Sequence, residues 1–299
     1  MPPDASALLP LDRPYHLRRT VTALTWSRGD PTRRWRDDAF WTAGRGPDGP
    51  ATLRATQADD TLQVQAWGPG AEGAVAGAAR LLGLDDDPLA FSPAHPLVRA
   101  LLARHPGMRL VRTGEIIREL VPTILGQLVT TREAATRWRA LALRYGAPAP
   151  GPADLHLPPE TAVMAGMAMW RFEQLGVLRK QAEAIRRACE RGARMEEAAD
   201  MTYIDGMRRL QAIRGIGPWT AGSVMGVAGG HADAVVVGDL HLPRTVGMAL
   251  AGERDADDAR MLALLEPFRP HRYRVVRLLI AGGVKAPRRG PVEGWAPGR

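Results

Sequence analysis

The sequence predicts an α+β protein that is mostly α-helical, with a small N-terminal α/β domain built on an antiparallel sheet and a larger helical body with a central cleft. Three observations carry this reading. Residues 61–67 alternate polar and apolar side chains, residues 52–56 do so more briefly, and the stretch 57–60 supplies a turn, the pattern of a hairpin with one buried face. From Pro96 onward apolar residues recur three and four apart, as in Leu97, Leu101 and Leu102, then Ile116, Ile117, Leu120, Val121 and Ile124, and again from Val177 to Cys189. Residues 146–153 form a Pro/Gly loop between two helical blocks, so the cleft is expected between those blocks. The expected division is 1–92 for the α/β domain, 93–285 for the helical part and 286–299 for a flexible tail.

Taken in order, the hairpin is followed by a helix over residues 73–84, closed by Gly83 and the run Asp85, Asp86, Asp87. Methionines 164, 167 and 169 read as core fillers. With 45% hydrophobic and 24% charged residues, the 299-residue chain has the composition of a folded protein. Forty Lys and Arg against 32 Asp and Glu leave a net charge of +8, which favours a polyanionic partner; the balance is almost all Arg, whose forked donors suit phosphate. The single Cys189 excludes an intramolecular disulfide, a Cys-rich zinc site and a four-cysteine iron–sulfur cluster. None of the seven histidines forms a metal-spaced pair with a second ligand. There is no apolar run long enough for a membrane span, and residues 1–20 lack a secretory pattern. A cytoplasmic, nucleoid-associated location and no membrane partner are therefore expected.

The most informative stretch runs from Leu210 to Ala221. A helix starting near Asp205, with that residue as its N-cap, leads into Gly215, Ile216 and Gly217, and Pro218 stands where the first turn of a second helix tolerates proline. Two bare glycines beside a helix N-terminus leave backbone N–H groups pointing outward in a favourable dipole, a phosphate site that needs no side chain. Twenty residues beyond Trp219, the apolar run Val235, Val236, Val237 ends in Gly238 and Asp239.

Gly215-Ile216-Gly217-Pro218-Trp219-Thr220-Ala221 resembles the signature of the helix-hairpin-helix DNA glycosylases and is similar to that of the bacterial type II 3-methyladenine enzymes. The resemblance spans most of the chain, most specifically over residues 110–250. It implies a helical glycosylase core with the motif at about 205–229. The partner is double-stranded DNA with a damaged base, bound by a monomer. Arg214, Gly215, Ile216, Gly217 and Thr220 are expected at the DNA backbone. No organic cofactor is implied; in this family hairpin carbonyls often hold one monovalent cation, K⁺ or Na⁺.

The resemblance makes Asp239 the catalytic carboxylate, and Asp is also a preferred N-cap for a helix starting near Leu240; both readings can hold. Family members that also cut the strand use a lysine amine where this chain has Trp219, so a monofunctional hydrolase is expected. Leu128, with Gln127 beside it, is the candidate wedge that fills the gap left by an extruded nucleotide, against the reading of a core leucine on an amphipathic helix. The base pocket is expected around Trp219, Ser223, Ile280 and Tyr273. The type II enzymes have aromatic rings at the positions matched by Ser223 and Ile280, and Trp170 or Tyr273 would have to compensate. Arg272, in the basic stretch 269–274, faces either DNA or solvent. Two other activities fit less of the sequence: a non-catalytic DNA-binding module, and a bifunctional glycosylase/lyase using another amine.

Overall fold

The structure, a computed structural model, describes residues 1–25, 27 and 29–285; the expected tail, 286–299, lies outside the described residues. Five strands form one antiparallel sheet in the order β1-β5-β4-β3-β2: β1 (Ala5–Pro10), β2 (Arg33–Arg36), β3 (Ala39–Gly46), β4 (Gly49–Ala58) and β5 (Thr61–Trp67). The predicted hairpin is the β4–β5 pair, in register Leu53 to Ala66 and Ala55 to Val64. Its turn is tighter than expected: Ala58 faces Thr61, so Asp59 and Asp60 alone make the bend. Asp59 has φ 48, and Asp37 and Asp38 in the β2–β3 turn have φ 50 and 51. Aspartate reaches this left-handed region because its short side chain hydrogen-bonds locally. Strands β1, β2 and β3 carry no long alternating run and are defined by pairing with β5 and β4, which a local pattern does not encode.

Helices α1 (Leu17–Val21), α2 (Ala71–Ala76) and α3 (Ala78–Leu81) pack on this sheet. Leu17, Val21, Phe40, Leu53, Leu62, Val64 and Leu82 fill the core between them. The single helix expected over residues 73–84 is two pieces, because Gly77 ends α2 and starts α3; glycine is a poor helix interior residue, and the chain turns there.

The helical body begins with α4 (Pro96–Arg104), α5 (Ile116–Leu125) and α6 (Thr131–Tyr145). The short α7 (Thr161–Ala165) and α8 (Met169–Gln174) precede α9 (Arg179–Glu190) and α10 (Gly192–Glu196). Then come α11 (Tyr203–Gln211), α12 (Pro218–Ala228), α13 (Leu242–Ala251), α14 (Asp258–Leu265) and α15 (Arg272–Ala281). Among the described residues no helix is long and apolar enough to cross a membrane. Two cores divide this body. Leu120, Ile124, Leu141, Phe172, Ile185, Leu210 and Met225 join α5 through α12, with Met164 and Met167 buried among them. Val98, Val246, Met261, Leu265, Val276 and Leu279 join α4 to α13, α14 and α15.

The boundary between the cores therefore does not fall at the Pro/Gly loop. That loop carries a two-residue strand pair, β6 (Ala147–Pro148) and β7 (His156–Leu157), and its Ala153, Leu155 and Leu157 pack on Ala43 of the sheet. Apolar side chains hidden among the prolines and glycines turn a nominal linker into a buried contact.

Charged contacts fasten sheet to helices. Buried Arg33 pairs with Glu119 of α5, and Arg118 of α5 reaches Thr42 Oγ1 at 2.7 Å and the Ala43 carbonyl at 2.6 Å. Buried Arg274 of α15 donates to Asp86, at 2.9 Å for one of the two bonds, and Asp86 also accepts from the Leu110 amide at 2.9 Å.

Candidate active site

The hairpin forms as its glycines require. Helix α11 is capped by Thr202, whose hydroxyl oxygen accepts from the Asp205 amide at 3.2 Å, so Asp205 lies inside the first turn and is not the cap. After α11 the chain closes through Ile213 N to Leu210 O and Ile216 N to Ile213 O, 3.1 and 3.0 Å. Ile213 and Ile216 are buried and anchor the turn. Gly215 has φ +100, and a Cβ there would stand 2.8 Å from that of Ala184 on α9. Gly217 has φ −92 and ψ −178, a conformation open to any residue, and a Cβ there would meet nothing within 4 Å. Gly217 is the N-cap of α12 and offers no side chain to its first turn. Among the described residues the amides of Gly215, Gly217, Trp219 and Thr220 have no acceptor within the chain. Such donors, with the helix dipole behind them, can hold an anion.

The carbonyls of Arg214 and Gly215 are taken by Arg187 Nη1 at 3.3 Å and Gln127 Nε2 at 3.0 Å. They do not face a cation, so an ion at the hairpin would need other carbonyls. Among the described residues there is no group of three or more His, Cys, Asp or Glu that could hold a metal ion.

Two expected DNA contacts are corrected. Thr220 is buried and its hydroxyl accepts from Gln127 Nε2 at 2.8 Å, so it is corrected as a side-chain contact and only its backbone amide stays among the free donors. Arg272 is also buried, its guanidinium bonded in a fork to Asp233 at 2.8 and 2.6 Å; a charge held this way supports the fold and does not face DNA. Gln127 is half-buried, and its amide ties the loop after α5 to the hairpin instead of pointing away from the protein. A second amide, which sequence reasoning missed, completes the tie: Gln181 Nε2 of α9 donates to the Leu125 and Gln127 carbonyls at 3.2 and 2.7 Å. Polar side chains bonded to backbone leave no periodic trace in a sequence.

Leu128 projects from this braced loop. It is 89% exposed and has φ 61, so it is not a core leucine. Exposure of a large apolar side chain and a left-handed leucine backbone are both unfavourable, the latter by about 1–2 kcal/mol. Strain of this kind persists where function uses it.

Asp239 sits where α12 and α13 approach. Gly238, at φ +88, turns the chain, and its amide is held by Asp258 at 3.0 Å. One Asp239 oxygen accepts from the His241 and Leu242 amides, both at 2.8 Å, and the other accepts from Trp219 Nε1 at 3.0 Å. The helix starts at Leu242 with His241 at its N-cap position, so Asp239 is not the N-cap expected but ties the helix's first amides from two residues upstream. Three N–H groups thus occupy three of the carboxylate's roughly four acceptor positions and fix its plane, and the free position belongs to a half-buried carboxylate. Anchoring of the helix and chemical availability coexist in one side chain.

Trp219 bridges the site: its indole N–H holds Asp239, and its ring edge lies 3.5 Å from where a Cβ on Gly126 would stand. Trp219, Ser223 and Gly226 lie on one stripe of α12 by their four- and three-residue spacing. The Ser223 hydroxyl donates back to the Trp219 carbonyl at 2.8 Å. The Tyr273 ring fills the space over Gly226, within 2.8 Å of a Cβ built there, and burial raises the pKa of its hydroxyl. On α15, Tyr273, Arg277 and Ile280 share a stripe by spacing. It leads from buried Tyr273 past half-buried Arg277 to half-exposed Ile280. Arg277, which sequence reasoning also missed, acts electrostatically on Tyr273; its spacing of four from Tyr273 was the available signal. Trp170 stands exposed on α8, which packs on α9, with Arg171 over its ring at 5.3 Å.

A helical body with a glycine hairpin, a carboxylate 3.0 Å from the indole that follows the hairpin, and a small sheet domain define a class of fold: the chain has the fold of the helix-hairpin-helix DNA glycosylases. No protein-family model matches the chain. It is 30% identical over 241 residues to the probable bifunctional transcriptional activator/DNA repair enzyme AlkA of Mycobacterium tuberculosis, an alignment covering 75% of this chain and 44% of that protein. The chain thus spans under half the length of the curated relatives that it matches. The 3-methyladenine DNA-glycosylase from Archaeoglobus fulgidus superposes with a TM-score of 0.78 at 15% identity, covering 92% of this chain and 97% of that one. The 8-oxoguanine glycosylase/lyase of Clostridium acetobutylicum, in complex with double-stranded DNA, gives 0.72 at 12% identity, covering 95% and 98%. At these identities the structural likeness is one of fold.

Proposed function

We propose that the chain is a monofunctional DNA glycosylase that hydrolyses the N-glycosidic bond of a damaged purine in duplex DNA, with alkylated purines of the 3-methyladenine type as its substrates. The observation that carries this reading is Asp239, oriented by Trp219 Nε1 and two backbone amides at 2.8–3.0 Å. The hairpin amides and the dipole of α12 would hold a phosphate, and Leu128 would fill the stack behind the extruded nucleotide. As the bond from C1′ to the base nitrogen breaks, the alkylated base, cationic while attached, leaves with the electron pair as a neutral purine and needs no proton. Positive charge grows on the sugar, and the Asp239 carboxylate stabilises it. Water adds its oxygen to C1′, and Asp239 accepts the proton that the water gives up. A lyase route needs an amine on C1′. The chain has two lysines, Lys180 and Lys285, and an indole stands at the position after Pro218. The alkylated-purine assignment is supported by the name of the archaeal structure, a 3-methyladenine DNA-glycosylase.

Single-turnover incubation with N-methylated duplex DNA is expected to release free methylated purine and leave an intact strand with an abasic site. Borohydride is expected to trap no protein–DNA adduct; an adduct would sink the monofunctional reading, and binding without base release would leave only a DNA-binding module. Gly217→Ala is expected to weaken duplex binding about ten-fold, the worth of one charge-assisted hydrogen bond of about 1.5 kcal/mol. Its thermal stability should stay within about 1 kcal/mol of wild type, since that Cβ enters open space. Unchanged affinity in a fluorescence-anisotropy titration would remove the hairpin from the interface.

A further inference from the structure

We propose that the cavity between α10 and α11 carries the DNA backbone onward from the hairpin, its Arg191 and Arg194 each holding one further phosphate of the strand. The inference rests on the DNA-binding reading above. The cavity, about 660 Å³, is lined by four arginines, Arg191, Arg194, Arg208 and Arg209, with Met195 and Ile213 among its apolar walls. Arg209 is paired with Glu197 and Arg208 with Asp205. Among the described residues Arg191 and Arg194, both exposed, form no ion pair within 4 Å, and the charge of Arg194 reaches only Glu197, whose nearer partner is Arg209. Guanidinium groups gathered in one depression repel each other, and a polyanion converts that repulsion into binding.

Position identifies the polyanion. Ala212 and Ile213 line the cavity and lead straight into the hairpin at Gly215. Arg187, which donates to the Arg214 carbonyl at 3.3 Å, lies one helical turn before Arg191, and Arg194 follows at a spacing of three. The helix breaks at Arg191, the junction of α9 and α10, so the three arginines follow one another across that junction toward the cavity. The walls suit the same ligand: half-buried Met201 and exposed Ala212 offer apolar surface to deoxyribose carbons while the arginines take the phosphates. Neither arginine touches Asp239 or the base pocket stripes, so this surface adds affinity and register without entering the chemistry.

The test measures the salt dependence of binding by the full chain to two duplexes, one extending well past the lesion on both sides and one cut at the phosphates that the hairpin holds. For the Arg191→Ala/Arg194→Ala double variant on the long duplex, the slope of log affinity against log salt should become shallower by about 1.8, that is 0.9 for each phosphate that is no longer neutralised. On the cut duplex it should match wild type, as should base release at saturating protein. Arg191→Lys/Arg194→Lys should keep the wild-type slope. An unchanged slope on the long duplex overturns the inference. A free deoxynucleoside monophosphate that wild type binds and the double variant does not, with duplex affinity unaltered, also overturns it by assigning the cavity to a free nucleotide. Wild type that neither binds nor excises would defeat the proposed function instead; wild type that does both, with a double variant identical to it, defeats this inference alone.

Discussion

Asp239→Asn is expected to lower single-turnover base release about 10³-fold, roughly 4 kcal/mol of transition-state stabilisation, while duplex binding stays within a few-fold of wild type. The geometry separates the two effects. Asn retains a carbonyl oxygen for the His241 and Leu242 amides, now at 2.8 Å, so the start of α13 stays tied. Its NH₂ group faces Trp219 Nε1, a donor, where the carboxylate oxygen accepted at 3.0 Å. Forfeiting that bond should cost about 1 kcal/mol of stability, far too little to account for the rate. A variant that binds duplex DNA and keeps near-full excision would remove Asp239 from the chemistry and leave it as an anchor for the start of α13.

Arg274→Leu is expected to destabilise the fold by about 3–5 kcal/mol in a denaturant titration, the range for breaking a buried pair by removing one partner. Arg274 is 2% exposed and Asp86 is its ion-pair partner, with a side chain 11% exposed. Without the guanidinium, that carboxylate keeps one hydrogen bond, from the Leu110 amide at 2.9 Å, and the nearby charge of buried Arg109. The compensated double variant, Arg274→Leu/Asp86→Leu, should recover part of the stability, because no isolated charge then remains buried. A single-variant effect under about 1 kcal/mol would mean that water reaches Asp86 and that the link from α15 to the segment before α4 contributes little.

The sequence revealed those parts of the molecule whose physics is local. Gly215 and Pro218 report backbone geometry directly, and the hairpin stands where they put it. Helical periodicity from Pro96 onward was equally direct. What stayed hidden depends on partners distant in sequence. Strands β1 to β3 exist through pairing, with Leu9 opposite Leu62 across more than fifty residues. Arg272 and Arg277 look alike in a basic stretch, yet Asp233 claims only the first. Thr220 resembles a DNA contact in sequence because it follows the hairpin, and only the fold shows Gln127 donating to it. The Pro/Gly loop misleads for a related reason: composition suggests a linker, while Leu155 and Leu157 fix it to the sheet. Leu128 admits two readings in sequence, and its φ of 61 and its exposure decide between them.

The two glutamine amides have a consequence for how such a protein would search DNA. Gln127 joins the leucine-bearing loop to the hairpin, and Gln181 fastens that loop to the helix beneath. Hairpin and leucine-bearing loop are therefore one braced part, and the gap between them is set by the protein's own bonds. If the hairpin holds phosphate and Leu128 enters the stack as proposed, each move of the grip to the next phosphate would offer the leucine to the next base pair. The interval would then work as a gauge that counts nucleotides, and it would need no knowledge of which bases they are.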